Sequence, residues 1–83
     1  MNNEKIISIL NQKLTLEKIY ATGDSNHIKI IAVGDIFKGM NQVKRQQIIY
    51  SPLINMIIEK KIHAVSITTY TIEEWKKNKK NLS

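Results

Sequence analysis

The chain has 83 residues, of which 42% are hydrophobic and 24% charged, and it carries a formal net charge of +6. This length supports one domain with a single core and is too short for two, and the composition is typical of a soluble folded domain. The longest apolar runs, such as Ile30 to Val33, fall far short of the roughly 20 residues that span a bilayer. Because the chain contains no cysteine, disulfides and thiolate chemistry are excluded, and two histidines supply its only imidazoles.

The positive charge points toward an anionic partner such as nucleic acid. All but one of the thirteen basic residues are lysines, however, and they accompany many isoleucines and asparagines. These three residue types are encoded by codons rich in A and U, so base composition alone could produce much of the charge. The N-terminus carries Glu4 where a signal peptide would be basic, and its apolar stretch is short. We therefore expect a cytoplasmic protein whose charge does not by itself identify a partner.

The first elements along the chain are predicted to be a helix and a β-hairpin. Asn2 or Asn3 can cap the helix, and the hairpin turn is predicted at Gly23–Asn26, between two β-prone runs, with His27 at the far edge of the loop. The helix has one face of residues at helical spacing that should be buried: Ile6, Ile7, Leu10 and Leu14.

The middle of the chain is predicted to turn away from the sheet and form two helices. Gly34 and Gly39 bracket the turn. Ser51-Pro52 predicts the start of the second helix, because serine is a good N-cap and proline suits the first helical position. The first helix is expected to pack through Met40, Val43, Gln47, Ile48 and Tyr50, and the second through Leu53, Met56 and Ile57.

The last third predicts one strand and one helix. Ala64–Tyr70 alternates in polarity as a strand does, and Thr71 with Glu74 fits a capping box that opens a short helix bearing Trp75. Residues 76–83 are expected to fray. The whole chain, 1–83, is therefore predicted to be one α+β domain of order αββααβα. The third strand can pair in parallel after a helical crossover, which gives a mixed three-stranded sheet with helices on one face.

Four blocks, in the right order and at the right separation, resemble the BolA family and more closely its IbaG-like branch. They are Phe37–Met40, Val43–Tyr50, Ile62–Ile67 and Tyr70–Trp75. Many BolA proteins have histidine where this chain has Gln46, and IbaG-like proteins have glutamine there. The resemblance implies a KH-like (type II) domain. The phosphate-clamping loop of KH domains, glycine-any-any-glycine, is not present, since four residues separate Gly34 from Gly39.

The resemblance also implies a function for the histidines. His63, in its Ile-His-Ala context, is similar to the BolA histidine that ligates a [2Fe-2S] cluster shared with a monothiol glutaredoxin and its bound glutathione. His27 is a second candidate ligand, because BolA-like proteins often place histidine or cysteine between the first two strands; a solvated loop histidine is the equally weighted alternative. Two histidines cannot complete a metal site, so sulfur from the partner would be required. Alone, the chain is expected to hold no cofactor.

A second hypothesis is a nucleic-acid-binding regulator linked to stress response. The two helices joined at Ser51-Pro52 vaguely resemble a helix-turn-helix, and the candidate contacts are Lys38, Lys44, Arg45, Lys60 and Lys61. A solvated basic face, or a surface for an acidic protein, is the competing interpretation and the favoured one, since lysine-rich surfaces mostly bind DNA without sequence preference.

Catalysis has little support in the sequence. No nucleophile motif surrounds any serine, the carboxylates lack metal-site spacing, and no phosphate-binding or dinucleotide motif occurs. We therefore predict that the protein is not an enzyme. A protein-docking module tied to envelope or acid-stress physiology is a third hypothesis, and the sequence leaves homodimerisation open.

Overall fold

A computed structural model describes residues 3–24, 26–59 and 61–82. Its elements follow the predicted αββααβα order, with single 3-10 turns at Asp35–Phe37 and Ser51–Leu53. The helices are α1 (Asn3–Lys13), α2 (Gln42–Tyr50), α3 (Ile54–Ile58) and α4 (Ile72–Leu82), and the strands are β1 (Lys18–Asp24), β2 (His27–Val33) and β3 (Val65–Tyr70). Helix α4 is longer than the short helix predicted, and the fraying of residues 76–83 stays a prediction.

The three strands form one mixed sheet in the order β1-β2-β3. Strands β1 and β2 are antiparallel, and β3 runs parallel to β2 with Ile28 opposite Val65. This confirms the predicted α+β fold. Because β2 and β3 are parallel, both strands begin at the same end of the sheet.

The hairpin between β1 and β2 is tighter than predicted, because β1 continues to Asp24 and β2 begins at His27. The carboxylate Oδ1 of Asp24 accepts hydrogen bonds from the backbone N–H of Asn26 at 2.9 Å and of His27 at 3.3 Å. Gly23 has φ +97, and a Cβ at this position would collide with the His27 carbonyl. Glycine is therefore required next to this turn, and the backbone of His27 is fixed by local structure.

The core lies between one face of the sheet and helices α1, α2 and α3. Alternate residues of β2 point into it, as expected for a strand with one dry face. Of the predicted α1 face, Ile6 and Leu10 are fully buried and Ile7 and Leu14 partly buried. Asn3 lies inside α1, and Asn2 is outside the described residues. The central cluster consists of Ile6, Leu10, Ile28, Ile30, Ala32, Phe37, Ile49, Leu53 and Ile62.

Helix α4 differs from the other helices, because its Trp75 packs against the opposite face of the sheet. The Trp75 ring lies 5.8 Å from the ring of Tyr20 and 5.4 Å from that of Tyr70, measured between centroids. Both tyrosines alternate with residues that face the core. The expectation of helices on one face therefore holds for α1 to α3, while the aromatic cluster anchors α4 on the other side.

The predicted packing face of α2 is wrong for three of its five residues. Val43 is 65% exposed and Gln47 and Tyr50 are also exposed, whereas Arg45 and Ile49 are buried. Residues 45 and 49 are one helical turn apart and lie on the same face, so this pair determines which side meets the sheet. Met40 and Ile48, the other two residues of the predicted face, are only partly buried.

The predicted helix start at Ser51 is also wrong. Ser51 has helical backbone angles and caps nothing with its side chain; α2 continues through the 3-10 turn, with Pro52 in its first positions, into α3. This continuation buries Leu53 completely and Met56 and Ile57 partly, as predicted for the apolar stripe. Burial of Leu53 outweighs the tendency of a residue before proline to leave the helical region.

Candidate metal-ligating and basic sites

His27 lies at the start of β2, and its backbone N–H donates to the Asp24 carboxylate. It precedes the buried Ile28, so its side chain lies on the face of the sheet away from the core, where it is exposed. Its Nε2 is 2.7 Å from the Oγ of Ser66 on β3. Both the backbone and the ring of His27 therefore have fixed partners.

His63 lies just before β3, between the buried Ile62 and Ala64, whose carbonyl contacts β2. Ile62 before it is 1% exposed, and the carbonyl of Ala64 after it accepts a hydrogen bond of 3.0 Å from the N–H of Ile28. The His63 side chain is exposed, and within the described residues it has no hydrogen bond or ion pair. Its neighbours fix the backbone while the imidazole remains available to another molecule.

The parallel pairing brings the two histidines to one end of the sheet, which we call the histidine end (His27 and His63). Ala64 lies next to His27 across the strands, and His63 is one residue before it. In the described ranges, no group of three or more His, Cys, Asp or Glu side chains could hold a metal ion. Two imidazole nitrogens fit part of an iron site and cannot complete it, because such sites use four ligands.

Arg45 does not belong to an exposed basic face. Its side chain is 8% exposed; Nη1 lies 2.8 Å from Oε1 of Glu74, and Nε donates to the carbonyl of Met40 at 3.0 Å. A buried guanidinium whose hydrogen bonds are made inside the protein cannot reach a phosphate or a base edge without breaking them. The prediction of Arg45 as a nucleic-acid contact is therefore wrong.

Glu74 joins α2 to α4 and confirms the predicted capping box. Its Oε1 accepts from the backbone N–H of Thr71 at 2.7 Å, and its own N–H donates to the Thr71 Oγ1 at 3.1 Å. The hydrogen bond from Arg45, together with that from the Thr71 backbone, holds the pKa of the Glu74 carboxyl below its usual value. We call Arg45, Thr71 and Glu74 the ion-pair cluster.

The remaining basic candidates lie on separate segments. Lys44, in the first turn of α2, is exposed. Lys38 is 66% exposed and 3.9 Å from Asp35, and Lys61 is 54% exposed and 3.1 Å from Glu59. Lys60 lies outside the described residues. Pairing with neighbouring carboxylates reduces the net charge that two of these lysines offer to an anion.

Besides the Arg45–Glu74 ion pair, two further side-chain contacts of the described residues were not predicted from the sequence. The amide Nε2 of Gln46 donates to the carbonyl of Ile67 at 2.6 Å, and Ser66 contacts His27. Alternation in β3 does place Ser66 on the exposed face, but only the strand register shows that it reaches a residue 39 positions earlier.

In the described part of the chain, no helix has the length and apolarity needed to cross a membrane.

Comparisons with known proteins agree with this fold. The model of the family described as BolA-like protein matches residues 5–74. The acid stress protein IbaG of Escherichia coli is 45% identical over 80 residues, covering 96% of this chain and 95% of that protein. A protein of Buchnera aphidicola subsp. Acyrthosiphon pisum is 66% identical over 80 residues, covering 96% of this chain and all of the relative. BolA1 from Arabidopsis thaliana is similar in structure, with a TM-score of 0.76 and 25% identity over 89% of this chain and 98% of that one. The chain therefore belongs to the BolA family, and E. coli IbaG is among its homologues.

Proposed function

We propose that this protein is an adaptor in iron–sulfur cluster assembly or trafficking. In this function it pairs with a monothiol glutaredoxin, and His63 donates a ring nitrogen to an iron of a shared [2Fe-2S] cluster. The observation that carries the proposal is the exposure of the His63 imidazole, which has no hydrogen bond or ion pair among the described residues. A ring buried against its own neighbours could not reach a cluster held by a second protein.

The donor set of the chain supports a shared site. The sequence has no cysteine thiolate, and the histidine end has two imidazoles at one end of the sheet. The sulfur ligands would come from the glutaredoxin and its glutathione. Imidazole in place of thiolate makes a cluster less negative and raises its reduction potential, as in Rieske centres, and such a cluster suits transfer to another protein.

The test is co-purification of the protein with a monothiol glutaredoxin and glutathione. Cluster absorption bands and nitrogen couplings in pulsed electron paramagnetic resonance are then compared for wild type, His63→Ala and Lys61→Ala. We expect His63→Ala to change the bands and to remove one nitrogen coupling, while the exposed neighbour Lys61 can be replaced without effect. Unchanged bands and couplings in His63→Ala would remove His63 from this function.

The alternative proposal is a nucleic-acid-binding regulator that uses Lys38, Lys44 and Lys61, with Lys60 outside the described residues. Burial of Arg45 leaves no arginine for bidentate contacts to guanine, so such binding would depend on lysine–phosphate contacts and be sensitive to salt. Titration of duplex DNA at several salt concentrations tests it. Binding that survives moderate salt and depends on sequence would favour this alternative over the adaptor.

The same proposal extends to the location of the protein and its physiological role. The adaptor function needs no catalytic step by this chain, and its proposed location is the cytoplasm. The E. coli homologue bears the name acid stress protein, so a role in acid-stress physiology is proposed together with the regulator alternative.

A further inference from the structure

Ser66 connects the two candidate ligand histidines. It lies on β3, three residues after His63, and its Oγ is 2.7 Å from Nε2 of His27, which is 39 residues earlier in the chain. Both side chains are exposed on the sheet face away from the core. The ring of His27 is therefore hydrogen-bonded to β3, the strand that directly follows His63.

We propose that Ser66 is a positioning residue that fixes which nitrogen of His27 can bind a metal. The proposal includes the tautomer: Nε2–H donates to the Ser66 Oγ and the lone pair of Nδ1 is free, because the reverse hydrogen bond, from the hydroxyl to Nε2, would leave neither ring nitrogen free to bind a metal. Metal-ligating histidines commonly donate their other ring N–H to a neighbouring oxygen, which selects the tautomer and the ring orientation. The role of this contact in metal binding rests on the proposed function, whereas the contact between the His27 ring and Ser66 does not.

The hydrogen bond supplies the restraint that the backbone lacks. Asp24 accepts from the His27 N–H and Gly23 allows the tight turn, so the Cα and Cβ of His27 have fixed positions. Two side-chain torsions remain, and an exposed ring without a partner would sample several rotamers. Contact with Ser66 restricts both torsions and holds the His27 ring at a constant position relative to β3.

The first experiment uses the protein alone, without glutaredoxin. Relaxation of the ring carbons of His27 is measured by NMR in wild type, Ser66→Ala and Ser66→Thr, with Thr68→Val as the matched control, since Thr68 lies on the same face of β3 and makes no side-chain hydrogen bond among the described residues. We expect the ring order parameter of His27 to be clearly higher in wild type, Ser66→Thr and Thr68→Val than in Ser66→Ala, where it should fall below about 0.6, the range of flexible groups. Equal ring order in wild type and Ser66→Ala would overturn the proposal.

The second experiment identifies the free nitrogen with Zn²⁺ as a diamagnetic probe. Titration of Zn²⁺ into histidine-labelled protein should shift the Nδ1 resonance of His27, while Nε2 keeps its proton; in Ser66→Ala, Nε2 should bind as well. A shift at Nε2 of His27 in wild type, or no shift at either nitrogen at concentrations that affect His63, would contradict the proposal. Failure of the glutaredoxin complex to form would count against the proposed function alone, because both readouts come from the isolated chain.

Discussion

The ion-pair cluster and the histidine end differ in the burial and pairing of their polar side chains. Arg45 is the side chain with the most hydrogen-bond donors in the chain, and it is buried with partners on Glu74 and Met40. The His63 side chain is exposed and has no hydrogen bond or ion pair among the described residues. The one arginine of the sequence therefore contributes to the fold, whereas both histidine side chains are exposed at one end of the sheet.

The largest expected effect on stability is from Arg45→Ala. This substitution removes a buried guanidinium and leaves Glu74 and the Met40 carbonyl without their partner, and since Glu74 is half exposed we expect a loss of about 2 kcal/mol in the free energy of unfolding. Urea denaturation measures it. The neighbouring Lys44→Ala is the control, with an expected change within about 0.5 kcal/mol. Equal losses in both variants would contradict the distinction between the two basic neighbours.

Thr71→Ala tests the other half of the ion-pair cluster. The Thr71 Oγ1 accepts the Glu74 N–H at the start of α4, and loss of such a cap costs about 1 kcal/mol. Urea denaturation should show this decrease, and circular dichroism should show less helix at elevated temperature. Thr68→Ala, an exposed threonine on β3, serves as the reference and should cost less. A Thr71→Ala variant as stable as wild type would mean that the capping box contributes nothing.

Acid should weaken the ion-pair cluster through Glu74. The hydrogen bonds from Arg45 and the Thr71 backbone lower the pKa of this carboxyl in the folded protein, while in the unfolded chain the pKa has its usual value. The contribution of Glu74 is therefore complete above the unfolded pKa and is lost as the pH falls through the folded pKa. Glu74→Gln should reduce the slope of unfolding free energy against pH in this acidic range. Parallel slopes for the two proteins would refute the assignment.

The smallest effect is expected at the histidine end. His63→Ala and His27→Ala should each change the unfolding free energy by no more than about 0.5 kcal/mol, since both side chains are exposed. The same urea titrations measure this. His27 should cost slightly more than His63, because it loses the contact with Ser66. A loss near that of Arg45→Ala would give the histidines a structural role and weaken their assignment as ligands.

The sequence predicted features whose determinants are local. The capping box depends on residues three positions apart, and the hairpin on turn-forming residues, so Thr71 and Glu74 and the pairing of β1 with β2 were both anticipated. The parallel position of β3 followed from the length of the helical crossover. The capping box and the hairpin each depend on residues a few positions apart, and the position of β3 depends only on the order of the elements.

Contacts between distant segments could not be predicted in the same way. Nothing near Arg45 indicates that Glu74, 29 residues later, neutralises it, so hydrophobicity alone wrongly favoured Val43 for burial. The same limit applies to Ser66 and His27, because their contact depends on the register between β2 and β3. At Ser51-Pro52, local capping preferences pointed to a helix start, and burial of Leu53 favoured a continuous chain of helical turns instead.

The bond between the Gln46 amide and the Ile67 carbonyl has a consequence for self-association. Strand β3 forms one margin of the sheet, where unpaired backbone groups can recruit a strand from a second molecule. Gln46 covers one of these acceptors at 2.6 Å, so a foreign strand would have to displace it before adding to the sheet. Growth of the sheet on this side would therefore first have to break the hydrogen bond from the Gln46 amide.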